Sequence, residues 1–217
     1  IGPNGAGKTT LMRGALGLLA ASGMSSLTAL PVRDRAKAAA WLPQAREIAW
    51  PVTVETLVAL GRSPYLAGGR KLSEADHAAV ARALAQMGLT DFAGRDATAL
   101  SGGEQARVLI ARVLAQETPL IVADEPVAGL DPAHQFSLMQ VFLTLASQGK
   151  SVLVSMHDLG LAARHCSRLV MIHRGQLVAD GAPREVLRED LLRDVFQVSG
   201  RWDGEAFHVT NALEGAA

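Results

Sequence analysis

The stretch Gly2-Pro3-Asn4-Gly5-Ala6-Gly7-Lys8-Thr9 decides how this sequence is read. It satisfies every fixed position of the pattern G-x-x-x-x-G-K-[ST]. Glycines at these spacings let successive backbone N–H groups turn inward around phosphate oxygens. Lys8 supplies a point charge for the β/γ-phosphates, and the Thr9 hydroxyl is a ligand for Mg2+. The helix that begins here adds its positive N-terminal end. A glycine turn before an ordinary surface helix is the competing reading; the Gly-Lys-Thr triplet with an apolar helix behind it argues against that. The loop, through Asn4, Gly5, Ala6, Gly7, Lys8, Thr9 and Thr10, is expected to bind a nucleoside triphosphate.

Such a loop needs a carboxylate brought from a distant strand. Leu120-Ile121-Val122-Ala123 is a short apolar run closed by Asp124-Glu125-Pro126, the pattern of a buried parallel strand. Asp124 is expected to partner Mg2+, directly or through water, and Glu125 to polarise the attacking water as a general base. A second glycine loop, Leu100-Ser101-Gly102-Gly103-Glu104-Gln105, combines a serine N-cap, two glycines and a fresh helix N-terminus. Read in isolation it is a helix cap with no ligand. Alongside the first loop it suggests a dimer, in which one copy's second cradle closes on the γ-phosphate held by the other.

The frame around these motifs is a chain of 217 residues, 49% hydrophobic and 19% charged, with 21 Lys+Arg against 21 Asp+Glu. That length suits one α/β domain, or one domain carrying an inserted lobe. The apolar fraction excludes disorder as the main state, and the balanced charge leaves no electrostatic footprint for nucleic acid. Cys166 is the single cysteine, so an internal disulfide is excluded and a reduced compartment is expected. Gly14 to Val32 carries no charge, but its glycines, serines and Pro31 interrupt it too often for a membrane span. It is expected to be a buried helix end followed by loop and strand, in a soluble chain whose membrane role comes through a partner.

Strand and helix alternate after Leu100: helix Ala133 to Ser147, strand Ser151 to Ser155, helix Leu159 to His165, then strands Leu169 to Ile172 and Gln176 to Ala179. This alternation implies a parallel sheet covered by helices on both faces. Between Thr53 and Leu100 the periodicity is helical, with Val54, Leu57 and Val58, then Val80, Ala83, Leu84 and Met87. The fold expected is a P-loop α/β core formed by residues 1–52 and 116–217, interrupted by a helical lobe over residues 53–115.

Taken together, the motifs resemble the nucleotide-binding subunit of ABC transporters. Gly2 to Thr9 is similar to the Walker A motif, Leu120 to Glu125 to Walker B, and Leu100 to Gln105 to the ABC signature. Gln44 resembles the Q-loop glutamine, Val127 to Asp131 the D-loop, and His157 in Ser155-Met156-His157-Asp158 the switch histidine. The resemblance implies ATP and Mg2+ sandwiched head-to-tail between two copies, the P-loop of one facing Ser101, Gly102, Gly103 and Glu104 of the other. It implies Thr9, Gln44 and Asp124 at the metal, Glu125, His157 and Gln44 at the hydrolytic centre, and Asp131 at the dimer seam. It further implies membrane permease subunits, an indirect substrate-binding protein, no nucleic acid, and a peripheral place on the cytoplasmic face of the inner membrane.

Two features depart from the pattern. Glu104 stands where many members carry Gln, and Val127 where a small hydroxyl residue is usual. The resemblance also implies a strand feeding the P-loop and an adenine-stacking aromatic residue ahead of Ile1, so the sequence as it stands is expected to lack its first strands. The stretches Val58-Ala59-Leu60-Gly61-Arg62-Ser63-Pro64-Tyr65, Ala133-His134-Gln135 and Ala162-Ala163-Arg164-His165-Cys166 are similar to the ATPases of bacterial iron-chelate importers. That similarity implies ferric siderophore as cargo, with haem and cobalamin as alternatives. By themselves, His134 reads as a helix cap and Tyr65 as a lobe-surface aromatic. The rival functions are a soluble ABC ATPase acting on nucleic acid or the ribosome, and a fragment that binds nucleotide without turning it over.

Overall fold

The computed structural model describes residues 1–44, 47–66 and 71–212; residues 67–70 of the expected lobe and 45–46 and 213–217 of the expected core lie outside them. In chain order the elements are α1 (Lys8–Ala15), α2 (Val32–Ala38), β1 (Ala39–Leu42), α3 (Val54–Ala59), α4 (Glu74–Gln86), α5 (Gly102–Ala115) and β2 (Leu120–Asp124). There follow α6 (Pro132–Ser147), β3 (Ser151–Ser155), α7 (Leu159–His165), β4 (Leu169–His173), β5 (Gln176–Gly181), α8 (Pro183–Val186), β6 (Val198–Asp203) and β7 (Ala206–Ala212). Two compact units emerge: Ile1–Gly14 with the chain from Ser155 onward, and Ala15–Val154.

In the unit Ala15–Val154 the sheet order is β1-β2-β3. Strand β1 runs parallel to β2, from Ala39 opposite Leu120 to Leu42 opposite Ala123. Ile121, Val122, Ala123 and Asp124 are all buried, which is why this strand reads as an unbroken apolar run rather than an alternating one. Helices α3, α4 and α5 pack on one another, and α5 also packs on β1. Val54, Val58, Val80, Ala83, Val108 and Ile110, at helical spacing, supply the buried faces. Thr53 caps α3 by accepting from the Thr56 N–H, and Ser73 with Asp76 forms a capping box on α4.

The segment from Gly14 to Val32 differs from the expectation of a buried helix end. Helix α1 stops at Ala15, Gly17 takes φ +67°, and Leu18 and Met24 are exposed. The Ser25 hydroxyl donates to the Ala15 carbonyl at 2.7 Å, satisfying a helix-end acceptor and turning the chain outward. Ser22 to Pro31, whose sequence suits irregular chain or an edge strand, is built of turns, and the charged segment Val32–Ala38 is helical, with Asp34 in its first turn and Lys37 in its last.

In the other unit, Ile1 bonds β4 as the last residue of a parallel strand does: its nitrogen donates to the Val170 carbonyl at 2.7 Å, and Ile172 N–H donates to the Ile1 carbonyl at 3.0 Å. Strands β4 and β5 form an antiparallel hairpin closed between His173 and Gln176. Arg174 and Gly175 both have positive φ, 49° and 76°, as a two-residue type I′ turn requires. A second hairpin, β6–β7, was not anticipated; the Asp203-Gly204 pair that leads into its Gly204-Glu205 tip was the available signal. It packs on α7, with Trp202 edge-on to Phe207 at 5.2 Å and Arg184 stacked over Trp202 at 4.4 Å. Among the described residues no helix is long and apolar enough to cross a membrane.

Candidate functional site

The glycine loop lies against the end of β4. An added Cβ at Gly2, where φ is +152°, would collide with the Ile172 carbonyl, so only glycine fits this approach. Ala6 N–H donates to the Pro3 carbonyl at 3.2 Å, and the Ala6 carbonyl accepts from Gly175 N–H at 2.9 Å. The Lys8 ammonium folds back over the loop and donates to the Gly2 and Pro3 carbonyls at 2.8 and 3.0 Å. Gly5 and Gly7 hold φ of +74° and +102°, and their N–H groups donate to no acceptor among the described residues. Polar amides left open in a fixed loop, beside a buried lysine, fit a polyphosphate. His157 belongs to this unit as well, exposed at the exit of β3, where Asp158 caps α7 by accepting from Leu161 N–H at 2.8 Å.

In the unit Ala15–Val154, adjacent parallel strands deliver Gln44 and Glu125 to one place. Gln44 follows the end of β1, Glu125 follows the end of β2, and the Gln44 amide donates to a Glu125 carboxylate oxygen at 2.8 Å. Asp124, the last residue of β2, is buried. Glu125 adopts φ +49°, a left-handed conformation uncommon for a residue with a side chain. Strain at a strand end of this kind is held by the surrounding fold and recurs at functional positions. Among the described residues no group of three or more His, Cys, Asp or Glu forms a metal site. The Thr9 hydroxyl in one unit and the Asp124 carboxylate in the other are each oxygen donors of the kind Mg2+ takes.

Ser101 and Glu104 form a reciprocal cap on α5. The Glu104 carboxylate accepts from the Ser101 N–H at 2.8 Å and from the Ser101 hydroxyl at 2.7 Å. The Ser101 hydroxyl first, and its backbone N–H second, hold the Glu104 carboxyl below the ordinary range. An added Cβ at Gly102 or Gly103 meets nothing within 4 Å, so no packing among the described residues requires glycine there.

Asp131 caps α6, accepting from His134 N–H at 3.0 Å and pairing with His134 Nδ1 at 2.6 Å; these contacts lower its pKa. Gln135 ties the preceding turn by donating to the Leu130 carbonyl at 2.9 Å. Tyr65 is an anchor rather than a surface aromatic: it is half-buried, its hydroxyl donates to the Gln116 carbonyl at 2.8 Å, and Arg62 stacks on its ring at 4.0 Å. Sequence reading gave no role to Gly175, although the Arg174-Gly175 turn was legible as a hairpin tip.

A glycine loop opening onto a helix, with strand-end carboxylates on a parallel sheet, defines the P-loop NTPase class of α/β protein. Residues 1–128 match the ABC transporter family model. The chain is 43% identical over 203 residues to the hemin import ATP-binding protein HmuV of Streptomyces coelicolor, spanning 90% of this chain and 71% of that one. It superposes on a metal-chelate type ABC transporter in an inward-facing conformation with a TM-score of 0.82 at 25% identity, covering 97% of this chain and 84% of the other. It also superposes, with a TM-score of 0.71 at 26% identity, on an ATP-binding cassette solved as a dimer in a post-hydrolysis state with ADP and Pi, covering 84% and 83% of the two chains. The chain belongs to the ABC transporter family and is one of its ATPase subunits.

Proposed function

We propose that this chain hydrolyses ATP to drive a bacterial importer of the iron-chelate class, working as a head-to-tail pair on the cytoplasmic face of the membrane beneath permease subunits that a substrate-binding protein supplies. The observation that carries the hydrolytic reading is the 2.8 Å contact between Gln44 and Glu125 at the ends of neighbouring parallel strands. It sets a carboxylate and an amide side by side where two parallel strands end, the pairing of groups that positions a water for proton transfer. In this reading residues 53–115 are the lobe that meets the permease, and residues 1–52 with 116–217 are the core.

Each residue then has a task. The amides of the loop from Asn4 to Thr10 wrap the β-phosphate, and Lys8 exchanges its hold on the Gly2 and Pro3 carbonyls for the β/γ-phosphates. Mg2+, when bound to Thr9 and Asp124 with Gln44 nearby, neutralises developing charge on the phosphates. Glu125 takes the proton from the attacking water, and His157 contacts the γ-phosphate and orients that water. Ser101, Gly102, Gly103 and Glu104 of one copy face the nucleotide of the other, and Asp131 lies at the seam between copies. Loss of phosphate removes the contacts to Ser101 and His157, so the pair reopens and the permease resets. The dimeric post-hydrolysis relative supports the paired arrangement.

The cargo proposed from the sequence is ferric siderophore. Haem is a second reading, favoured by the 43% identity to a hemin import protein. Replacing Glu125 by Gln is expected to preserve ATP binding and lower steady-state hydrolysis by about a hundredfold or more, accumulating a closed dimer. Turnover near the parent rate in that variant removes Glu125 as the base. Transport by the complete importer, reconstituted with the chain and offered radiolabelled ferric siderophore or haem, separates the two cargoes.

A further inference from the structure

We infer that the tip of the β4–β5 hairpin aims a phosphate-binding amide of the glycine loop, with Gly175 as the positioning residue. The inference rests on the reading of the loop as a phosphate cradle and adds the element that orients it. In a trans peptide the carbonyl of one residue and the N–H of the next point in opposite directions. Gly175 N–H holds the Ala6 carbonyl at 2.9 Å, so the Gly7 N–H is turned to the other side of the loop. That N–H donates to no acceptor among the described residues. A Cβ added at Gly7 would come within 3.5 Å of the Gly175 Cα, so the hairpin tip lies one methyl group's contact away from Gly7.

The hairpin makes this contact only while its turn keeps its hand. Arg174 and Gly175 have φ of 49° and 76°, and the His173–Gln176 pair closes the ladder behind them. Forcing residue 175 to negative φ changes the turn type, and with the ladder closed on both sides the Arg174–Gly175 peptide has to reorient, taking its N–H off the Ala6 carbonyl. The peptide between Ala6 and Gly7 is then free to flip, and an amide that met the ligand ready-aimed must be ordered on binding. Because this amide contacts phosphate in ground and transition states alike, its loss raises KM without lowering kcat.

The test compares substitutions at position 175 that differ in tolerance of the left-handed region, read by titration with fluorescent N-methylanthraniloyl-ATP and by steady-state ATPase kinetics. Gly175→Val, β-branched and excluded from that region, is expected to weaken nucleotide binding about tenfold and raise KM by the same factor with kcat unchanged. Gly175→Asn, which tolerates positive φ and keeps the N–H, is expected to bind within about twofold of the parent. Gly204 is a control: it sits at φ +57° on the tip of the β6–β7 hairpin in the same unit, with open space around it. Gly204→Val is expected to leave affinity unchanged. Parent-like affinity in Gly175→Val, equal loss in Gly175→Asn, or equal loss in Gly204→Val each overturns the inference. Should Gly175→Val fail to fold, Gly175→Ala against Gly175→Asn carries the same comparison, with about a threefold difference expected. Lys8→Ala tests the phosphate reading separately: parent-like binding in that variant removes the cradle itself, whatever the hairpin substitutions do.

Discussion

Helices α4 and α5 begin with the same device. On α4, the Ser73 hydroxyl and N–H donate to the Asp76 carboxylate at 2.6 and 3.0 Å, and Asp76 N–H returns a bond to the hydroxyl at 3.2 Å. On α5, Ser101 and Glu104 make the corresponding three bonds at 2.7, 2.8 and 3.4 Å. Their surroundings separate them. Asp76 is buried and paired with Arg62 at 2.7 Å, an arginine that is itself buried and also donates to the Ala115 carbonyl at 2.9 Å. Glu104 is half-buried beside an exposed Ser101, and two glycines with clear space around them stand where α4 has Glu74 and Ala75. One box is knotted into buried packing, and the other stands beside open space. The same capping geometry thus sits in two different surroundings.

The largest expected effect lies on the knotted side. Arg62→Ala leaves Asp76 buried without its partner and is expected to cost about 3–5 kcal/mol of stability in denaturant unfolding. A loss below about 1 kcal/mol would show that the two boxes are equally peripheral. Next comes pH. The Ser73 hydroxyl and N–H, then Arg62, hold the Asp76 pKa at about 2 against an ordinary 3.8. A depressed carboxylate stabilises the fold above its unfolded value, so this contribution, about 2 kcal/mol, is complete above pH 3.8 and is lost as pH falls through about 2. The stability gap between the parent and Asp76→Asn should therefore narrow between pH 5 and pH 2; a constant gap contradicts the assignment.

Ser73→Ala and Ser101→Ala are each expected to cost about 1 kcal/mol, as removal of a cap does. Only Ser101→Ala is expected to lower ATPase turnover, by tenfold or more, and equal activity losses would erase the distinction drawn above. The smallest change in stability carries the opposite sign. Gly103→Ala, inside α5, should stabilise the chain by about 0.5–1 kcal/mol through helix propensity while reducing turnover at saturating ATP. A variant both more stable and fully active would mean that the clear space serves nothing.

Much of this was legible because chemistry and periodicity coincide at the motifs. The run Leu120 to Ala123, closed by Asp124, reads as a buried parallel strand from composition alone, and β2 spans Leu120–Asp124. Ser151 to Ser155 and Leu159 to His165 were equally plain. Where the sequence misled, a local contact decided the matter. The Ser25 hydroxyl ends α1 from ten residues away, and no periodicity announces that. Helix α2 is short and charged, with no buried residue to mark a stripe. At the candidate site, residue types announced Lys8, Asp124, Glu125 and Ser101. They did not announce that Gln44 reaches Glu125, since the two are 81 positions apart and meet only through strand register. Gly175 was hidden for a related reason: its contribution is a backbone N–H, which residue identity does not advertise.

Helix α5 contains 14 residues and is therefore about 21 Å long. Its far end is fastened: Tyr65 donates to the Gln116 carbonyl, Gln116 reaches the Ala36 carbonyl in α2 and the Ala39 carbonyl at the start of β1, and Arg62 and Arg82 hold Glu117. A rod clamped at one end converts a small rotation there into a long throw at the other. A tilt of about 10° at the clamp sweeps Ser101 through roughly 4 Å, more than a hydrogen bond's length. A tyrosine, a glutamine and two arginines thus fix the end of α5 remote from Ser101.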